Sequence, residues 1–180
     1  MDEAKIRSAI LPIRVVNYIR TLFGPKRLSS SYPELPLIND RFESNIKNLF
    51  IIGDLSGTAL IKMTMNQGFD LANQLQNQLD STSRNRIPKS AYEVLIIGGG
   101  CSGLAAIRQL NKLGVRCLCL EAGQSFMTVR NFTKGKPIYL EPSGVDFKDS
   151  WGLTEGTRET VIEQVDQIIT QERSEEHTSE

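Results

Sequence analysis

The sequence predicts an α/β fold with a small parallel sheet and flanking helices. The apolar run Tyr92–Ile97 (YEVLII) is followed at once by a glycine-rich turn and then by a segment with helical character that extends to about Leu113. A second apolar run, Val115–Leu120 (VRCLCL), ends directly before the acidic Glu121. Buried parallel strands read as nearly continuous apolar runs that alternate with helices along the chain. We therefore expect a strand-helix-strand unit here.

The N-terminal half is predicted to contain a basic helix, two linkers and a further strand-helix pair. Residues 1–27 carry six basic and two acidic side chains, and residues 12–23 place their apolar side chains on one helical face. Residues 28–48 and 81–91 are polar and contain proline, which is typical of linkers. Between them, residues 49–80 predict a strand of the same parallel sheet at Leu49–Ile52, a turn at Gly53 and Asp54, and a helix from Thr58 to Leu79.

The C-terminal part is expected to complete the unit that the first apolar run begins, over residues 91–172. After Ala122 we predict mostly loop, with a short extended piece near Ile138–Leu140 and a final helix capped by Thr154. The apolar side chains of that helix share one face, namely Val161, Val165, Ile168 and Ile169. Residues 173–180 (RSEEHTSE) equal the peptide encoded by a common sequencing adapter. We therefore expect the native sequence to stop near residue 172 and to belong to a longer chain.

Composition argues against several classes of function. The 21 basic residues balance the 21 acidic ones, so we expect no nucleic-acid partner. His177 is the one histidine, which excludes His-dependent triads and His-based metal sites, and the cysteine spacing fits neither a zinc site nor a CxxC pair. No run is long enough for a membrane span. We expect a cytoplasmic protein, in which residues 12–23 pack on the domain or a partner, or alternatively contact the inner face of a membrane.

The glycine-rich turn, Gly98–Gly103 (GGGCSG), carries the most specific signal in the chain. It matches the G-x-G-x-x-G pattern of Rossmann-like dinucleotide-binding units, with a strand before it and a helix after it. In this pattern the first glycine, Gly98, makes the tight turn, Gly100 admits the pyrophosphate, and Gly103 allows the helix to pack closely on the strand. Cys101 and Ser102 lie within the turn, where the helix N-terminus faces the phosphates. The competing interpretation is a glycine-rich turn without a ligand.

Glu121 follows the second strand, 21 positions after Gly100. An acidic residue at this distance accepts hydrogen bonds from ribose hydroxyls, and it favours FAD or NAD over NADP, whose phosphate it repels. Cys101 allows two interpretations: a thiol activated by the positive end of the helix dipole, or a small packing residue, which we favour. We expect Cys117 and Cys119 to be core residues.

Two segments resemble the thioredoxin-reductase-like flavoproteins of the pyridine nucleotide-disulfide oxidoreductase superfamily. YEVLIIGGGCSGLAAIRQLNKLGVRCLCLEAG is similar to their FAD-binding βαβ unit, and NLFIIGDLSGTALIKMTMNQG is similar to the Gly-Asp segment near their C-terminus. The resemblance implies FAD as cofactor, with Asp54 and its neighbour Gly53 near the ribityl or phosphate part and with Gly57–Leu60 pointing at the flavin. It also implies NAD(P)H as reductant in the full-length parent.

The order of the two segments departs from this family, because Gly53-Asp54 here precedes the glycine-rich turn. We favour a circular permutation in which both segments serve one flavin site; the alternative is a tandem fusion. The family's second βαβ unit, for NAD(P)H, is missing from this sequence. The leading hypothesis is therefore the FAD-binding portion of an NAD(P)H-dependent oxidoreductase, active in its parent. The alternative is a non-catalytic nucleotide-binding fragment or a membrane-surface adaptor.

Overall fold

The structure, a computed structural model, describes residues 35–79, 84 and 87–178. The predicted basic helix of residues 1–27, including its amphipathic stretch 12–23, lies outside the described residues, as do parts of both predicted linkers. Side chains are described as far as residue 170.

The described chain forms a mixed α/β fold, as predicted. Strand β1 (Val94–Ile97) pairs in parallel with β2 (Cys117–Leu120), in a register that places Val94 opposite Cys117 and Ile97 opposite Leu120. A second, antiparallel pair joins β3 (Pro137–Ile138) to β4 (Gly156–Thr157). The helical elements are a 3₁₀ turn (Gly53–Ser56), α1 (Ile61–Gln78), α2 (Cys101–Lys112), α3 (Met127–Arg130) and α4 (Arg158–Thr178).

Helices α1 and α2 run side by side in the same direction and pack closely at Gly68. An ideal Cβ built on Gly68 would lie 2.2 Å from the backbone oxygen of Ser102. One or two turns further along, the Gln109 side-chain amide donates to Asn73 Oδ1 at 3.0 Å. Because contact at Gly68 involves backbone of the neighbouring helix, any side chain there would push the two helices apart. No pattern in the sequence indicates that Gly68 has this role.

The parallel sheet is covered by helices on one face. Val94 and Ile96 pack against a core cluster formed around Ala72 of α1 and Leu110 of α2. On the opposite face, Leu95 and Ile97 are 56% and 60% exposed. The run that predicts a buried strand is therefore covered on one face by the described residues, because their helices contact the sheet on that side.

The predicted strand Leu49–Ile52 does not join the parallel sheet. Phe50 makes an isolated antiparallel bridge with Glu43, and the Ile51 N–H donates to the Phe42 carbonyl at 2.8 Å. The Asn39 side chain holds the preceding turn by accepting hydrogen bonds from two backbone N–H groups. The prediction that this strand joins the parallel sheet is wrong, because backbone groups of the segment form their hydrogen bonds with the preceding residues instead.

A second core cluster joins α1, α3 and α4 beside the sheet. Its fully buried members include Met65, Phe126, Val161 and Val165. The predicted apolar face of the last helix is confirmed, since Ile168 and Ile169 also pack against this cluster.

The predicted start of the last helix is wrong. The helix begins at Arg158, and Thr157 Oγ1 lies 3.4 Å from the backbone N–H of Thr160. Thr154 instead exchanges two hydrogen bonds with the side chain of Gln164, so its hydroxyl is used in a tertiary contact. None of the helices in the described ranges combines the length and the apolar character that crossing a bilayer requires.

Candidate functional site

The glycine-rich turn connects β1 to α2 with the geometry that its glycines predict. Gly98 has a φ of +103°, which lies in the region that favours glycine, and its N–H donates to the Leu120 carbonyl at 2.8 Å. A Cβ on Gly103 would lie 2.0 Å from the Gly98 carbonyl oxygen. The structural tasks predicted for these two glycines, a tight turn and a close helix-strand approach, are confirmed.

The space in front of the helix is open at Gly100. A Cβ on this residue would meet nothing within 4 Å, and its φ of −73° is ordinary. No side chain caps the helix, whose first intrahelical bond runs from the Leu104 N–H to the Gly100 carbonyl. The N–H groups of Cys101, Ser102 and Gly103 precede that bond, so they remain for an anion or water. The turn therefore fits the pyrophosphate of a dinucleotide.

Glu121 reaches back from the end of β2 to the glycine-rich turn. Its carboxylate accepts the Gly99 N–H at 2.6 Å and the Gly123 N–H at 2.9 Å. A carboxylate has about four lone-pair positions, so two remain for ligand hydroxyls. Glu121 thus lies where the sequence predicts, and it also braces the turn, a second task that the pattern did not reveal.

Phe126 is a further residue at the turn that sequence reasoning missed. It is 1% exposed and adopts a left-handed backbone conformation, with a φ of +63°. Its N–H donates to the Gly99 carbonyl at 2.7 Å, so the loop after Glu121 is fastened to the turn. The Gly99 peptide is consequently held on both sides, by Glu121 at its N–H and by Phe126 at its carbonyl.

The Gly-Asp segment lies against the first turn of α2. Gly53, with a φ of +77°, is so close to Ser102 that a Cβ on it would stand 2.6 Å from the Ser102 hydroxyl oxygen. Gln67 of α1 holds this segment, because its Oε1 accepts the Gly53 N–H at 3.0 Å while its amide donates to Thr58 at 2.8 Å. The structure therefore brings Gly53 and the glycine-rich turn together, although 45 residues separate Gly53 from Gly98. Gln67 carries no sequence signal for this role.

Cys101 packs towards the interior, which supports the interpretation we favour, a small packing residue, over a thiol activated by the helix dipole. Burial, together with the negative charge of Asp54, raises the pKa of the Cys101 thiol to about 12. The side chain packs beside the core cluster that contains Met65 and bonds with Thr64. Burial and the charge of Glu121 likewise raise the pKa of the Cys119 thiol to about 11. Both thiols are protonated at neutral pH and are therefore poor nucleophiles.

Comparison with known protein families agrees with this geometry. Residues 91–178 match a family model described as FAD binding domain. The matched range begins just before β1 and includes the whole glycine-rich turn and Glu121. The match supports FAD as the cofactor and a flavoprotein domain in this part of the chain. No curated protein and no solved structure matches the chain.

Two surface cavities are lined by residues outside the glycine-rich turn. A cavity of about 810 Å³ opens between α3 and α4, where Arg130 pairs with Asp166 and Arg158 pairs with Glu159. A smaller cavity of about 360 Å³ lies beside Lys62 near the start of α1. Within the described ranges, no three His, Cys, Asp or Glu side chains are grouped closely enough to hold a metal ion.

Proposed function

We propose that this chain is the FAD-binding portion of an NAD(P)H-dependent flavoprotein oxidoreductase that resembles the thioredoxin reductases. The ADP half of FAD lies over the glycine-rich turn, and the Gly53-Asp54 segment contacts the same cofactor. The observation that carries this proposal is the contact between Gly53 and Ser102, since it places the second motif beside the first.

Each residue of the proposed site has a task that follows from its chemistry. The free N–H groups at the start of α2 bind the pyrophosphate, and Gly100 leaves room for it. The Glu121 carboxylate accepts the ribose hydroxyls with the lone pairs that Gly99 and Gly123 leave unused. Exposed Asp54 orients the adjoining part of the cofactor. Bound flavin supplies the hydride and electron chemistry, and the protein positions it.

A single shared site favours permutation over tandem fusion. In a tandem fusion, the Gly-Asp segment would belong to an upstream flavoprotein module. Cofactor binding would then require no contact between this segment and the glycine-rich turn of the next module. Here the segment touches Ser102 directly, and Gln67 of the succeeding helix holds it in place. The contact supports one composite site built from the two segments in reversed order.

Titration with FAD, followed by quenching of flavin fluorescence, tests the cofactor site. We expect Glu121→Ala to weaken FAD binding ten-fold or more, because each charge-assisted hydrogen bond contributes roughly 1.5–3 kcal/mol. We also expect Asp54→Asn to weaken binding, whereas the control Asp70→Asn, at an exposed pair with Lys148, leaves the affinity unchanged. Equal FAD affinities in Glu121→Ala and the unaltered chain would refute this placement of the cofactor.

A second measurement separates an oxidoreductase from a non-catalytic nucleotide-binding module. The FAD-loaded chain is mixed anaerobically with NADH or NADPH, and the flavin absorbance near 450 nm is followed. Bleaching supports the oxidoreductase assignment for the chain itself. If the loaded flavin stays oxidised with both nucleotides, the chain binds FAD without accepting hydride, which contradicts the NAD(P)H-dependent part of the proposal.

A further inference from the structure

The smaller cavity contains a buried cation whose hydrogen-bonding capacity is largely unused. Lys62, in the first turn of α1, is 8% exposed and lines this cavity of about 360 Å³. Its ammonium donates to the Pro142 carbonyl at 2.9 Å and stands 5.8 Å from the centre of the Phe147 ring. An ammonium has three N–H donors. In the described part of the chain, no carboxylate lies within ion-pair distance of it.

The loop that lines one side of the cavity is fastened to α1 independently of Lys62. One turn further along the helix, buried Asn66 donates from its amide to the Asp146 carbonyl at 2.9 Å. The oxygen of the same side chain accepts the Lys148 N–H at 2.9 Å. Since these two bonds hold the loop on the helix, the cavity is already formed in the absence of a ligand, as small-molecule sites usually are.

The walls and the rim define the chemistry of the ligand. Half-buried Phe147 supplies the apolar surface of the lining, because Leu140 and Leu153, at 7% and 8% exposure, are largely covered by the core. Two exposed acidic residues, Asp146 and Glu155, also line the cavity. The buried Lys62 ammonium attracts an anionic group, whereas the two exposed acids, which water screens, weaken this attraction and disfavour a second negative charge. These features together favour a ligand with a single carboxylate and an apolar body.

We propose that this cavity binds a small monocarboxylate with an aromatic or branched apolar body. The carboxylate accepts hydrogen bonds from the Lys62 ammonium, and the apolar body packs on the Phe147 ring. The volume lies within the range of roughly 300–1,000 Å³ that is typical of small-molecule sites. The proposal rests on residues outside the glycine-rich turn, so it holds or fails independently of FAD binding.

Calorimetric titration of the full chain with phenylacetate tests the proposal. We expect saturable binding at millimolar or lower concentration, and at least ten-fold weaker binding of 2-phenylethanol, which lacks the charge, and of succinate, which has two. Lys62→Met should weaken phenylacetate binding at least ten-fold, whereas the control Lys89→Met, at an exposed lysine, should not. Phe147→Ala should also weaken binding, because it removes the aromatic wall.

Several outcomes would overturn the proposal. These are no saturable binding of phenylacetate, equal binding of phenylacetate and 2-phenylethanol, or equal phenylacetate affinity in Lys62→Met and the unaltered chain. Thermal unfolding of Lys62→Met establishes that the variant folds. If it does not fold, the comparison of phenylacetate with 2-phenylethanol on the unaltered chain still decides whether the site requires a negative charge.

Discussion

Replacing Gly103 by alanine should disrupt the turn that defines the cofactor site. The new Cβ would lie 2.0 Å from the Gly98 carbonyl oxygen and 3.2 Å from its carbon. Contacts below 3.0 Å are essentially never observed for a real Cβ, so the strand end or the helix must move by more than an ångström. The obstructing atoms belong to backbone, which cannot rotate away as a flexible side chain does.

The cost of this movement sets the expected magnitude. Overpacking a close-packed interior costs typically 1–3 kcal/mol, and contacts with backbone lie at or above the upper end, so we expect a loss of about 3 kcal/mol. For a chain of this size, each kcal/mol lowers Tm by about 2–4 °C, which gives a decrease of about 6–12 °C. Differential scanning calorimetry measures this decrease directly.

Gly100→Ala is the matched control, because it makes the same chemical change three residues earlier. Its Cβ would meet no atom within 4 Å, and the φ of −73° suits any residue. We expect Tm to fall by no more than about 4 °C, since alanine at a helix N-cap costs about 1 kcal/mol. The methyl group enters the space proposed for the pyrophosphate, so FAD binding should weaken ten-fold or more. A Gly103→Ala chain that melts within 2 °C of the unaltered chain, a margin below the roughly 6 °C expected, refutes the packing argument.

Three further predictions concern the two partly buried thiols and the ion pair of the buried Glu93 carboxylate. Cys101 should resist iodoacetamide at pH 8 in the folded chain, because burial keeps its thiol protonated, and it should react once the chain is unfolded in guanidinium. Labelling of the folded chain at the rate of a free thiol would contradict this prediction. The free energy of unfolding should fall as pH rises from 9 towards 12, because the thiols lose their protons near pH 9 in the unfolded chain, whereas the folded pKa values are about 12 for Cys101 and about 11 for Cys119. Urea titrations across this range should show a shallower fall for Cys101→Ala, and an unchanged slope would count against the prediction. Glu93→Gln should destabilise the chain by about 3 kcal/mol, because the Glu93 side chain is 1% exposed and pairs with Arg84 at 3.1 Å. Asp70→Asn, at an exposed pair, should cost less than about 1 kcal/mol. Urea unfolding measures both losses, and similar values would contradict the difference expected between a buried and an exposed carboxylate.

The glycine-rich unit was predictable because its determinants are local. Gly98 directly follows the strand and Gly103 lies in the first turn of the helix, and the apolar runs before and after them predict strands without reference to distant residues. Glu121 was predictable for the same reason, since its distance from Gly100 follows from the length of one helix and one strand. The hydrogen bond between Glu121 and Gly99 was not predictable, because the distance between two residues along the sequence does not specify which atoms a side chain contacts.

The sequence by itself determined the βαβ unit, its turn and the apolar face of the last helix, because these depend on spacing and on the backbone preferences of neighbouring residues. The tertiary structure alone decided that Leu49–Ile52 pairs locally, that Cys101 is buried beside Asp54, and that Gly53 reaches Ser102. The positions of Cys101 and Gly53 depend on contacts between residues far apart in sequence, whose energies no local pattern records. Lys62 is the clearest case. A lysine near the start of a helix is expected to be exposed, but its neighbours in the tertiary structure, Phe147 among them, bury it.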